Sequence, residues 1–266
     1  MTATVLRLAH QAALAAGQVL LAERPRVRAE GATATKSSAT DPVTRADIAA
    51  QRAIAGIVTA ARPDDGILAE EGLDRPGRTG WRWIIDPLDG TVNYLYGRDE
   101  WAVSIAVQDP SGTTVAAIVL APALGLSYSA TLGEGCWLDG QQAAVRACTD
   151  LASAVIGTGF SYDAAIRADQ AAVLSRLLPQ VADIRRCGSA ALDLAAVASG
   201  RADAFYEDDL APWDWAAGAL LASEAGAAVT PLSGPGDRHG VLAAVPAIAP
   251  ALADLIGHPR HARPAP

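Results

Sequence analysis

Apolar residues recur at helical intervals from Ala3 to Glu23 and again from Thr44 to Arg62, so the chain is expected to open with two amphipathic helices. The polar stretch Lys36-Ser37-Ser38-Ala39-Thr40-Asp41-Pro42 lies between them. Short apolar runs then predict strands at Ile67–Ala69, Trp81–Ile85, Val103–Val107, Val115–Leu120 and Leu126–Ala130. Asp109-Pro110-Ser111-Gly112 and the run from Pro122 to Gly125 separate the last three, as the turns of an antiparallel meander would. Gly133-Glu134-Gly135 and Asp139-Gly140 mark two further turns.

Beyond about residue 150 strand and helix patterns alternate, which predicts an α/β lobe behind an α+β lobe. Its strands are expected at Val155–Thr158, Val181–Ile184, Ala204–Tyr206, Ala227–Thr230 and Val241–Ala244. Its helices are expected at Ala165–Leu178, Ser189–Ser199, Pro212–Ala225 and Ile248–Ile256. With no repeat or long linker, residues 1–257 read as one domain of two fused lobes (1–150 and 151–257), followed by a frayed tail at 258–266.

Composition narrows the class. Hydrophobic residues make up 51% of the 266 and charged ones 19%, enough to bury a full core. A formal charge of -8 argues against a partner made of nucleic acid, which favours a basic face. Arg7, His10, Gln11 and Gln18 interrupt the first apolar segment, so it is read as an amphipathic helix and not a signal peptide. The uncharged run Thr113–Thr131 contains Pro122 and Gly125 and suits two strands better than a membrane span. Cys136, Cys148 and Cys187 are too scattered for a zinc site or a disulfide framework. A soluble cytoplasmic protein with free thiols is expected. His10, His239, His258 and His261 are paired with no nucleophilic serine and acid, which argues against a Ser-His-Asp device.

The candidate chemistry lies in Trp83-Ile84-Ile85-Asp86-Pro87-Leu88-Asp89-Gly90-Thr91. An apolar strand runs into Asp86, Pro87 is expected to turn the chain, and Asp89 follows. Two carboxylates at a buried strand end repel each other unless cations sit between them, and oxygen ligands of this kind suit magnesium. Gly90 and Thr91 offer backbone N–H groups where a helix could begin, a seat for phosphate. Turn and cap roles for Asp86 and Asp89 remain the plain alternative. Upstream, Ile67-Leu68-Ala69 runs into Glu70-Glu71, an acid pair that solvation alone would explain. Downstream, Pro212 suits a first helical position and places Asp214 in the first turn, where the helix N-terminus alone would favour it.

Taken together these segments resemble the inositol monophosphatase family over nearly the whole chain. The resemblance rests on Lys36-Ser37-Ser38 with Asp41 and Asp47, on Glu70-Glu71, on the W-I-I-D-P-L-D-G-T stretch, on Gly188-Ser189-Ala190, on Tyr206-Glu207 and on Trp213-Asp214. It implies a layered αβαβα sandwich of the inositol monophosphatase and fructose-bisphosphatase type. It further implies a lithium-sensitive phosphatase with two or three Mg2+ ions, a small phosphate monoester as substrate and a homodimer.

Carried over position by position, the resemblance implies that Glu70, Asp86 and the carbonyl of Leu88 hold the first metal, whose water attacks. Asp86, Asp89 and Asp214 hold the second. Asp47 and Thr91 activate the water, with Glu70 among the catalytic groups and a third, weaker metal near it. Asp89, Gly90, Thr91, Ala190, Glu207 and Asp214 are implied to meet the substrate, Ala190 and Glu207 at its alcohol portion. Asp208 and Asp209 add charge beside that edge and are left between disfavouring a second phosphate and simply facing solvent. Arg185 and Arg186 are left between a phosphate, a partner subunit, plain solvation and an ion pair. Myo-inositol monophosphate is the foremost substrate implied. Fructose 1,6-bisphosphate, histidinol phosphate and 3'-phosphoadenosine 5'-phosphate remain alternatives, as does a regulatory protein that binds transcription machinery.

Overall fold

The structure is a computed structural model that describes residues 2–32, 34–35, 42–233 and 238–257. The expected Lys36-Ser37-Ser38 motif, Asp41, the tail at 258–266, His258 and His261 lie outside the described residues.

Helix α1 (Thr2–Glu30) runs about two turns past the expected end at Glu23, through Pro25. A proline inside a helix loses one backbone hydrogen bond and crowds the preceding turn. Tertiary contacts outweigh that cost. Arg24 lies 5.7 Å from the Trp101 ring centroid and donates to the Arg98 carbonyl at 2.5 Å, while Arg45 pairs with Glu23 at 3.0 Å and Glu30 at 3.5 Å. By length and composition α1 could cross a bilayer. Its apolar stripe of Val5, Ala9, Ala12, Ala16, Leu20 and Val27 is instead buried in the core. A short ribbon, β1 (Ala34–Thr35) with β2 (Pro42–Val43), leads to α2 (Arg45–Ala61).

Strands β3 (Gly66–Ala69), β4 (Leu73–Arg75), β5 (Arg82–Asp89), β6 (Ala102–Gln108), β7 (Thr114–Ala121), β8 (Leu126–Thr131), β9 (Cys136–Leu138) and β10 (Gln141–Ala143) form one sheet. The expected meander is β6–β7–β8, continued by β9 and β10 around the two-residue turn Asp139-Gly140. Side chains alternate across this sheet, and both faces are covered. Trp83, Ile85, Val103, Ile105, Val107 and Ile118 meet α1 and α2, whereas Ile84, Ala102, Ala106, Ala117 and Val119 meet the opposite layer. Burial on both faces is why these strands read as unbroken apolar runs.

The second half supplies β11 (Val155–Thr158), α4 (Ala164–Leu177), β12 (Asp183–Arg185), α5 (Ala190–Ala198), β13 (Ala204–Asp208), α6 (Pro212–Glu224), β14 (Ala228–Ser233), β15 (His239–Ala244) and α7 (Ala249–Ile256). Its sheet has the order β12-β11-β13-β15-β14, parallel around β11 and antiparallel around β15. Helices α5 and α6 lie between the two sheets, and α4 with α7 covers the far face. The layers are therefore αβαβα, as the resemblance implied. Alanine-rich faces let α5 and α6 approach closely: a Cβ on Gly218 would stand 2.5 Å from the Cβ of Leu194.

Candidate active site

Strands β3 and β5 run parallel, with Ala69 beside Ile85, so their C-terminal ends share one edge. That register sets Glu70 beside Asp86, and the Glu70 N–H donates to the Ile85 carbonyl at 3.2 Å. Strand β5 does not turn at Pro87. It continues to Asp89 across an irregularity between Asp86 and Asp89, because β6 pairs on either side of the intervening residues. A bulge of this kind re-aims side chains at a sheet edge. Ser104, the cross-strand neighbour of Asp86, donates to the Trp213 carbonyl at 3.3 Å and so ties the start of α6 to β6. Glu70, Asp86 and Asp214 thus converge from two strand ends and a helix start. One carboxylate oxygen from each lies within 4.8 Å of the others.

The remaining expected residues surround this cluster. Asp89 lines the same pocket, and its Oδ2 accepts from the Ser189 hydroxyl at 2.6 Å and the Ala191 N–H at 2.7 Å. The Leu88 carbonyl accepts from the Thr91 hydroxyl at 3.0 Å. Thr91 Oγ1 also lies 3.1 Å from Asp47 Oδ1, across 44 residues of sequence. The other oxygen of Asp47 accepts from the Thr44 N–H at 2.9 Å and from its hydroxyl, so Asp47 caps α2 and reaches Thr91 at once. Gly90 holds φ +93 and begins the short helix α3 (Thr91–Leu95). Ala190 opens α5 and Glu207 reaches in from β13, where glycines make room for it: a Cβ on Gly159 would stand 1.9 Å from its carboxylate.

Electrostatics mark the cluster as short of positive charge. Burial, and then the charges of Glu70, Asp89 and Asp214, hold the Asp86 carboxyl well above its ordinary value. Burial lifts Asp89 to about 6 against the hydrogen bonds from Ser189 and Ala191. Burial, followed by Asp214, Asp193 and Asp89, also raises Glu207 well above its usual range. The donors of the cluster are all hard oxygens, the set preferred by Mg2+ and Ca2+, so these residues fit a divalent cation.

The pocket measures about 840 Å3. Asp209 lines it, but Asp208 is turned towards α4, where Gln170 donates to it at 2.7 Å and Arg238 pairs with it at 3.4 Å. Of the two arginines left open by the sequence, Arg186 lines the pocket and Arg185 pairs with Asp183. His239, set aside in the absence of a serine partner, also lines it, as do Arg238, Ser161 and Tyr162. Three buried neighbours of the site carried no readable signal in the sequence: Ser104, Asn93 and Asp193. Each is an ordinary polar residue inside an apolar segment, and only the pairing of distant strands and loops reveals its place. Asp193 is lifted to about 8 by burial, against a bond from the Cys187 N–H.

The five-layer αβαβα sandwich is shared with a solved inositol monophosphatase of Anabaena sp. PCC 7120, which superposes with a TM-score of 0.80 at 31% identity over 95% of each chain. The chain belongs to the inositol monophosphatase family, whose model matches residues 1–262. It is 45% identical over 234 residues to an inositol-1-monophosphatase of Mycobacterium leprae, covering 84% of this chain and 80% of the relative. It is 38% identical over 234 residues to the Nus factor SuhB of Salmonella typhimurium, covering 86% of each. Among solved structures, the extragenic suppressor protein suhB of Bartonella henselae superposes with a TM-score of 0.88 at 34% identity, over 96% of this chain and 98% of that one. These relations support a phosphatase.

Proposed function

We propose that the chain hydrolyses a small phosphate monoester with the help of Mg2+, and that myo-inositol monophosphate is its foremost substrate. The convergence of Glu70, Asp86 and Asp214 beside the Asp47–Thr91 pair carries this reading. Glu70, Asp86, Asp89, Asp214 and the Leu88 carbonyl would hold two or three divalent cations. When bound, such cations neutralise phosphoryl oxygens and lower the pKa of water. The Thr91 hydroxyl, polarised by Asp47, orients the attacking water and passes on its proton. Gly90 and Thr91 would meet the phosphate through backbone N–H groups, with Asp89 and Asp214 bordering the ester. Ala190 and Glu207 would face the alcohol portion. Both sheets contribute, so residues 1–257 are taken as one catalytic domain. Lithium sensitivity, a homodimer and a cytoplasmic location complete the reading.

The decisive experiment is phosphate release with and without Mg2+ over inositol phosphates, fructose 1,6-bisphosphate, histidinol phosphate, glycerol phosphates and 3'-phosphoadenosine 5'-phosphate. Fastest turnover on an inositol monophosphate is expected; preference for a bisphosphate would move the chain to an alternative substrate. A second reading, a regulatory protein that also binds transcription machinery, is favoured by the relatives named Nus factor SuhB. Binding to purified RNA polymerase tests it directly, and no complex at micromolar concentrations would exclude it.

A further inference from the structure

We propose that Asn93 is a positioning residue that clamps the alcohol-side turn of the site to its phosphate-side turn and thereby sets selectivity for the alcohol. The proposal rests on the phosphatase reading above. Asn93 stands two residues after Thr91 on α3 and is buried. Its Nδ2 donates to the Glu100 carbonyl at 2.6 Å and to the Cys187 carbonyl at 2.9 Å. Both partners accept only, so the amide nitrogen must face them. The Glu100 carbonyl is seated against Gly90, where an added Cβ would approach it to 3.0 Å. On the other side Gly188, at φ +92, packs onto the amide so closely that a Cβ there would stand 2.9 Å from Nδ2. One buried amide therefore joins the turn bearing Gly90 and Thr91 to the turn bearing Gly188, Ser189 and Ala190.

The two turns do not depend on this amide equally. Helix α3 keeps other anchors: Thr91 bonds to the Leu88 carbonyl and Asp47, and the Tyr94 hydroxyl donates to the Leu20 carbonyl at 2.5 Å. Residues 186–188 rest on the Asn93 bond and a longer one, 3.3 Å, from the Cys187 N–H to Asp193, while Ser189 and Ala191 beyond them are tied to Asp89 at 2.6 and 2.7 Å. Loss of the amide donor therefore frees residues 186–188, with the pocket-lining Arg186 and Gly188, and leaves the phosphate side held. A group that only supported the fold would affect both sides alike.

Asn93→Asp keeps the shape and replaces the donor with an acceptor facing two carbonyls; Asn93→Ala removes the donor without charge and serves if the carboxylate prevents folding. The readouts are kcat/KM for inositol 1-phosphate and for 4-nitrophenyl phosphate, whose alcohol carries no further hydroxyl, and amide hydrogen exchange of the whole protein. The polyol-to-aryl ratio should fall at least tenfold, chiefly through KM. Exchange across residues 186–188 should quicken at least tenfold, with residues 91–95 changed less than threefold. Equal losses on both esters, or exchange unaltered at 186–188, would overturn the clamp. Should the wild type hydrolyse neither ester, the phosphatase reading fails, and exchange alone decides whether the clamp exists.

Discussion

Asp86 carries a heavy electrostatic load, because it is nearly fully buried among Glu70, Asp89 and Asp214. Asp86→Asn removes one of four mutually repelling charges and, on the proposed reading, an oxygen that cations would share. Phosphate release at saturating Mg2+ should be almost abolished, while the thermal midpoint in chelator should hold or rise. Near-normal turnover would show that Asp86 holds no essential cation. Thr91 and Asp47 are joined by a single bond of 3.1 Å and are expected to act as one device. Thr91→Ala and Asp47→Asn should each lower kcat by roughly a hundredfold or more. The double variant should be little worse than either, since parts of one device are not additive. Rate losses that multiply would separate the two residues. The resemblance implied that the two residues act together, and the structure sets them 3.1 Å apart; local sequence patterns alone gave no sign of the bond, because it spans 44 residues and needs α2 laid across the end of β5.

At the scale of elements, the loop from α2 to β3 is held by Asp65, which is buried and accepts from Thr79 at 2.7 Å, from the Trp83 indole at 2.9 Å and from Arg62. Burial pushes its carboxyl up, but the bonds from Arg62, Thr79 and Trp83 and the Arg62 charge outweigh it, leaving the value below the ordinary 3.8. A folded value below the unfolded one stabilises above the unfolded pKa, and that stabilisation is lost as pH falls through the folded value. Asp65→Asn should therefore cost about 2–4 kcal/mol at pH 7 by denaturant titration, and much less near pH 3. An equal cost at both values would discount the charge. Helix α6 depends on close approach: Gly218→Ala places a Cβ against Leu194 and should lower stability by about 1–3 kcal/mol. Thermal unfolding of the variant measures this, and a stabilising result would mean that α5 and α6 part easily. Most strands and helices could be anticipated from apolar runs and turn residues. Helix α1 runs past its expected end and through Pro25, because contacts from Arg24 and Arg45 compensate the lost backbone bond.

Across the whole molecule, the acidic cluster on the proposed reading couples cation binding to stability, since carboxylates gathered from two strand ends and a helix start are scattered on unfolding. A ligand present at a hundred times its dissociation constant stabilises by about 2.7 kcal/mol. For a chain of this size that should raise the thermal midpoint by about 5–10 °C on adding Mg2+ to chelated protein. A midpoint indifferent to Mg2+ and to Mn2+ would mean that the cluster holds neither. The rise should vanish in Asp86→Asn, which ties the global effect to the one residue.

The one-dimensional pattern determined the element types, the two-lobed rhythm and the acids that end strands, because strand period, helical period and turn chemistry are local. Ordered short motifs, each explicable as a cap or a turn when taken singly, pointed together to the family. Tertiary structure alone decided that β3 and β5 run parallel, which sets Glu70 beside Asp86. It also decided that β5 bulges instead of turning, and that Asp208 is spent on Arg238 and Gln170 while Asp209 faces the pocket. The places of Ser104 and Asn93 belong to the same group. All of these turn on which distant segments pair and in what register, and a chain's local preferences leave that to the burial of both faces of its sheets.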